Sequence, residues 1–408
     1  MSAATARAGT AVGLVIGVVL VAANLRVTLT GVGSLLPEIE RGSGLSPAWG
    51  GLLTTLPLLT FAATSPLVGR VSHRFAPARL LVITLITLAV GTIIRSLPSV
   101  VCLFAGTVVL SAAIAFGNVL LPAIIRRGVS PQRISTVSAL YVTVMGLTAA
   151  ISSGVSVPLA RVLPGEWRGA LAWGIVLVFV ALAVWLPRTR GDRPMGESGV
   201  ARSRMPLRSG LAWLVSFYMG LQSLAFYSVI AWLPSILAEH GASAAAAGWM
   251  LFYYQLVGIV ASGVVPLLTR GRHDQRYIAA AVSLMNGAGF VLLLVWPGLS
   301  IVACTLLGLG GGACLVLALT FQSQRAGSAG GAAALAGMAQ SVGYLVAAAG
   351  PVLLGVLRES THRWTVPLAV LATLSLVMTM AGYGAGRDRH VVEPARDHVC
   401  VADSGRDI

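Results

Sequence analysis

Apolar stretches of about 20 residues recur down the whole chain, too many and too evenly spaced for one anchor attached to a soluble domain. They fall at 10–36, 48–69, 79–97, 100–124, 133–158, 167–187, 210–236, 244–268, 277–296, 299–321, 330–357 and 364–385. In lipid, every backbone N–H and C=O must be satisfied within the protein, so runs of this length are read as membrane-spanning helices. Composition agrees: 56% of the 408 residues are hydrophobic and 10% charged, against about half and a quarter in soluble domains. The expected fold is an all-α integral membrane protein with twelve transmembrane helices. Arg7 before the first run imitates a secretory signal, but the run continues past Arg26 without a loop. A retained first helix is therefore expected.

The formal charge of +15 would suggest nucleic acid in a soluble protein. Its distribution excludes that reading. All 28 basic residues are arginine, and 21 of them fall in the even-numbered gaps and the tails. Six (Arg41, Arg95, Arg161, Arg168, Arg358, Arg363) are assigned to the opposite side, and Arg26 lies within a helix. The positive-inside rule then places both termini in the cytoplasm, and the membrane is expected to be a bacterial plasma membrane. Residues 188–209, with Arg188, Arg190, Asp192, Arg193, Pro194 and Glu197, interrupt the hydrophobic pattern as a solvated linker between six helices and six. This divides the chain into a bundle at 1–187, the linker, a bundle at 210–386 and a charged tail at 387–408 that lacks apolar periodicity. The halves rhyme: Leu36, Pro37 and Gly50 correspond to Leu233, Pro234 and Gly248 at offsets of 197 to 198, and the small-residue stretch Ala139 to Pro158 is set against Ala336 to Pro351 and beyond. Weak internal repeats of this kind are common in transporters.

Arg26 is the residue with the most chemical content. A cation within the hydrocarbon costs at least ~2.5 kcal/mol and is a functional site by default. Snorkelling is the structural alternative, but the predicted helix end at 36 is ten residues away, about 15 Å. The thirteen acids lie in loops, helix ends or tails, and the six histidines are equally peripheral, so no carboxylate or imidazole relay crosses the membrane. The expected partner of Arg26 is a small polar or anionic substrate, for which the guanidinium is a rigid fork. Polar faces nominate further contacts: Thr30 in the first stretch, Asn118 in the fourth, Gln222 and Tyr227 in the seventh, Gln255 in the eighth, Gln340 and Tyr344 in the eleventh. Helix-to-helix hydrogen bonding is the alternative for each of these. Cys102, Cys304, Cys314 and Cys400 form no CxxC pair, so no metal or cofactor is expected. Gly308 to Gly312 lacks the strand and GK[ST] of a phosphate loop and reads as close helix packing. Neither HExxH nor GxSxG occurs, and no enzyme is indicated.

Twelve helices, a basic central linker and a six-plus-six repeat resemble the major facilitator superfamily. The segment from Gly69 through His73 and Arg74 to Arg79 looks like a degraded form of its loop signature between helices 2 and 3, with His73 replacing the usual aspartate. Four stretches resemble the cyanate permease and 2-nitroimidazole transporter (CynX/NimT) family: Asn24-Leu25-Arg26 with Leu29-Thr30 and Leu35-Leu36-Pro37; Gly117 to Pro122; Met219 to Tyr227 with Ala231-Trp232-Leu233-Pro234; and Gly337 to Tyr344. The resemblance implies a monomeric secondary transporter of a small anion or small polar heteroaromatic, using helices 1, 4, 7 and 10 around a midplane site and partnered by the bilayer. Asn24, two residues before Arg26, is a candidate contact only through this resemblance. A permease exporting neutral compounds and a non-transporting membrane sensor are the alternatives.

Overall fold

The computed structural model describes residues 2–72, 75–189 and 206–391. Among them are thirteen α-helices and no strand: α1 (Ser2–Ser43), α2 (Pro47–Ser72), α3 (Pro77–Arg95), α4 (Val100–Gly128), α5 (Pro131–Val162), α6 (Trp167–Ala172), α7 (Ile175–Trp185), α8 (Gly210–Glu239), α9 (Ala244–Thr269), α10 (Arg276–Val295), α11 (Ser300–Gln324), α12 (Ala329–Thr361) and α13 (Thr365–Ala385). Eleven stretches are long and apolar enough to cross a membrane, with α6 and α7 sharing one of them and α2 not counted. The twelve predicted passes are thus matched by eleven among the described residues. Most of the linker (190–205) and the tail from 392 lie outside them, as do His73 and Arg74.

Two helices depart from their expected form. α1 runs on to Ser43 with Pro37 inside it, which leaves Arg26 close to the centre of the span Gly13–Ser43. The sixth stretch breaks at Trp173 and Gly174 into α6 and α7. The break frees the Leu171 carbonyl, which accepts a bond from Arg95 Nη2 at 2.9 Å. Asn24 Nδ2 takes the Leu177 carbonyl beyond it at 3.0 Å. Side-chain donors from α3 and α1 therefore satisfy backbone groups around the interruption, as lipid requires.

Small residues bring helices together. Between α1 and α5 a ladder of hydroxyls bonds to backbone: Ser152 to the Val27 carbonyl (2.8 Å), Thr30 to that of Ala149 (2.9 Å) and Ser34 to that of Ser153 (2.7 Å). The Gly308 to Gly312 run packs tightly, as expected: Gly308 lies against the backbone of Tyr254, Gly310 against that of Asn286 and Gly312 against that of Gly258, joining α11 to α9 and α10. Contacts between the α1–α7 set and the α8–α13 set follow the repeat. Gly51 sits on the Pro351 carbonyl and Gly248 on that of Ser153, two contacts that the offset of 197 to 198 interchanges. Gly33 meets the carbonyl of Ile230, its own counterpart at an offset of 197. A self-paired position marks where α1 and α8 cross on the axis relating the two sets.

A side chain at Gly33 must push the sets apart, whereas Gly263 faces open space. Gly33→Ala is expected to cost about 1–3 kcal/mol as overpacking and Gly263→Ala close to nothing, read as the thermal unfolding midpoint of purified protein in detergent.

Candidate functional site

A cavity of about 40 Å³ lies at the α1–α8 crossing, room for a few water molecules by the usual measure. Arg26, Leu29, Thr30, Val32 and Gly33 of α1 line it, with Leu53, Thr54, Pro57, Leu58 and Phe61 of α2, Arg95 of α3, Thr107 of α4, and Phe226, Tyr227, Ile230 and Ala231 of α8. Its walls are mainly apolar and come from both sets. Arg26 is only partly buried, and it borders this cavity. The guanidinium interacts with the Tyr227 side chain and lies in the electrostatic neighbourhood of Tyr344. Among the described residues no carboxylate pairs with it. Tyrosine dipoles can orient a guanidinium but carry no net charge to cancel it. The α1 end at Ser43 is seventeen residues away, about 26 Å, so reaching the headgroups at that end is out of the question.

The other candidates divide. Thr30 borders the cavity, but its hydroxyl is engaged by the Ala149 carbonyl. Tyr344 stands edge-on to the cavity residue Phe61, ring centroids 6.5 Å apart. Gln340, one turn earlier on the same face, is exposed, and Gly337 has open space before it. Asn24 is turned away, its amide bonded to Leu20 and Leu177 carbonyls. Gln222 is buried and donates to Ser223 Oγ at 2.7 Å. Gln255 donates to Ser153 Oγ at 2.8 Å, a bond between the two sets. Asn118 is partly buried in α4 outside the cavity lining. Of the loop motif, Gly69 lies in α2 and Arg79 is exposed in the first turn of α3. The expected tenth pass, α11, contributes nothing to the cavity, because its glycines hold it against α9 and α10. Arg95, counted in the sequence among the opposite-side arginines, is 1% exposed and lines the cavity, a site residue that the sequence did not nominate. Position alone hid it, since an arginine in a last helical turn reads as interfacial.

The sequence profile of the Major Facilitator Superfamily matches residues 14–348. The chain belongs to that superfamily. It is 44% identical to the 2-nitroimidazole transporter of Escherichia coli (strain K12) over 381 residues, covering 93% of this chain and 96% of the relative. Identity to the cyanate transport protein CynX of the same organism is 29% over 351 residues, 84% and 88% of the two chains. A crystal structure of a bacterial homologue of the human lysosomal transporter Spinster, inward-facing and unoccupied, superposes with a TM-score of 0.74 over 93% of this chain and 97% of that one. At 15% identity that likeness concerns the fold alone.

In this facilitator the sets meet on the side away from the N-terminus. Beyond the glycine contacts, Thr55 donates to the Ala348 carbonyl at 3.0 Å, and Glu359 of α12 accepts from Ser46 Oγ at 2.9 Å and the Ala48 N–H at 3.2 Å. The last bonds place a carboxylate at the N-terminus of α2, where the helix dipole favours it. On the terminus side, Gly337 and Gln340 face open space or solvent. A second hollow of about 440 Å³ lies on the closed side, bordered by Glu40, Glu239, Arg358, Glu359 and His362. Glu239 is paired with Arg358 at 2.9 Å, which leaves no unpaired arginine on this rim to hold an anion. Glu359→Gln is expected to loosen this closure. In a variant lacking the native cysteines, the buried position Ala348→Cys should then react several-fold faster with a membrane-impermeant maleimide, and an unchanged rate would show that Glu359 is no latch.

Proposed function

We propose that this facilitator is a secondary transporter carrying a small anion or small polar heteroaromatic by alternating access. Arg26 is the central contact, and Tyr227 and Tyr344 orient it from the other bundle. One observation carries the reading: a guanidinium near mid-membrane, without a carboxylate, borders a cavity walled by both helix sets. The names of two relatives, a 2-nitroimidazole transporter and a cyanate transport protein, support a cargo of this size and polarity. We further propose twelve passes with α2 as the twelfth, bundles at 1–187 and 210–386 joined by the linker 188–209, a tail from 387, and a monomer in the bacterial plasma membrane. Arginine bias supports cytoplasmic termini. Occupancy touching both bundles is what would couple binding to closure. The contacts on the closed side would have to part for the opposite face to open.

Thr30 would contribute shape more than hydrogen bonding, since its hydroxyl is already used. Gln340 and Gly337 would line the path to the site from the terminus side. Gln222, Gln255, Asn24 and Asn118 would hold helices in place.

Arg26→Ala and Arg26→Gln are expected to abolish uptake of radiolabelled cargo (cyanate, nitrate or a 2-nitroimidazole) into proteoliposomes at normal insertion. Arg26→Lys should recover little, because a point charge does not replace a planar fork. Normal flux in Arg26→Ala would defeat the proposal. A second expectation concerns pH. The cavity lining holds Arg26, Arg95 and Tyr227, with Tyr344 beside them, and no acid, histidine or cysteine. Affinity for nitrate, ionised throughout, should therefore stay flat between about pH 5.5 and 8.5, read by thermal shift; a clear slope would mean that a titrating group controls the site.

A further inference from the structure

Arg95 sits in the last turn of α3, 1% exposed, and lines the same cavity as Arg26. Its Nη1 donates to the Thr28 carbonyl at 2.6 Å and its Nη2 to that of Leu171 at 2.9 Å. Its Nε is buried without a partner. Among the described residues no carboxylate pairs with it. The two carbonyls satisfy N–H groups but bring no negative charge, so the cation remains uncompensated in a low-dielectric interior. A neutral amide could tie α3 to α1 and α6 without that cost. What the charge adds is a field directed into the cavity, reinforcing that of Arg26.

We propose that Arg95 and Arg26 together make the cavity a two-cation site for small anions, and that Arg95 sets the preference for anionic over neutral cargo. This rests on the reading of Arg26 as a cargo contact and narrows it to a charge class. Thr107 and Thr54 border the same space, their hydroxyls donating to backbone carbonyls of their own helices, so the two arginines are the charged groups of its wall. A neutral molecule of equal size gains the apolar contacts of Leu58 and Phe226 but nothing from the field.

The test uses purified full-length protein in a buffer whose only anion is bulky, with nitrate, acetate and acetamide as probes and thermal shift as the readout. Acetate and acetamide are nearly isosteric and differ in charge. Wild-type protein is expected to bind acetate and nitrate at least tenfold more tightly than acetamide. Arg95→Gln should weaken both anions at least tenfold and leave acetamide unchanged. Arg95→Lys should keep anion affinity within about threefold even where its unfolding midpoint without ligand falls, because the charge is retained while the fork is lost. A purely structural tie predicts the opposite: both variants lose stability, and the anion-to-neutral ratio stays at the wild-type value. That result, or a wild type that does not distinguish acetate from acetamide, overturns the proposal. Should Arg95→Gln fail to fold, the wild-type ratio and Arg95→Lys decide. Binding of neutral 2-nitroimidazole that is lost in Arg26→Gln, without anion preference, overturns the two-cation site alone and leaves the cargo role of Arg26 standing.

Discussion

The structure is organised around a positive charge, that of Arg26, with which no carboxylate among the described residues pairs. A guanidinium near mid-membrane costs at least ~2.5 kcal/mol, a sizeable fraction of the 5–15 kcal/mol that holds a typical soluble domain folded. Its placement follows from local packing. Gly33, seven residues on and on the same face of α1, lets the α8 backbone approach at Ile230. That approach brings Tyr227, three residues earlier on α8, to the guanidinium. A bulkier residue at Gly33 would widen the crossing and separate Arg26 from Tyr227.

Closure of the cavity rests on close packing of α2 against α12 and α5 against α9, with sparse hydrogen bonding across it. The two glycine-to-carbonyl approaches exchanged by the internal repeat, Gly51 with Pro351 and Gly248 with Ser153, are van der Waals contacts. The inter-set bonds made by Thr55 and Gln255 are of a kind that averages about 0.6 kcal/mol within membranes. Such an interface holds when assembled and can be broken without unfolding either set. By contrast, the α1–α5 hydroxyl ladder lies within one set and stitches it into a unit. Many bonds within a set and few between sets are what rigid-body movement about the α1–α8 crossing requires.

Much of this was legible in the sequence, for physical reasons. Hydropathy fixes helices because lipid permits little else, and the spacing of Pro37 with Pro234 has the same offset as the exchanged glycine contacts. Arg26 was legible because an isolated charge in an apolar run has few readings. Individual polar contacts were less so. Asn24 and Thr30 share a helix with Arg26, yet their side chains are engaged by backbone carbonyls of α7 and α5. Whether a mid-helix amide meets a ligand or a neighbouring carbonyl depends on rotation of the helix by a fraction of a turn, which hydropathy does not encode. Arg95 was missed for a related reason. Its position at the end of α3 suggested the interface, and only the break between α6 and α7, which exposes the Leu171 carbonyl, draws it inward. The end of α1 was missed because Pro37 reads as a boundary, while here the helix continues through it.

The hollow beside the closed contacts and the helix ends on the terminus side present different charges to an approaching anion. Beside the closed contacts, the hollow rimmed by Glu40, Glu239 and Glu359 holds three carboxylates against Arg358 and His362. On the other face, Arg79, Arg127, Arg270 and Arg272 are exposed at helix ends and turns. Exposed charges act over about a Debye length, 8 Å at physiological ionic strength, so neither group reaches the cavity directly, and both act on arrival and departure. Inside, the medium changes. A space open to only a few waters, between Phe61 and Phe226, screens poorly, and attraction to Arg26 and Arg95 strengthens as the effective dielectric falls. Entry must also strip hydration, which penalises strongly hydrated ions most. Long-range steering at the rim and short-range pairing in the cavity are therefore separate filters. The first depends on salt and on which face is open, and the second on the two guanidinium groups and the mainly apolar lining they share.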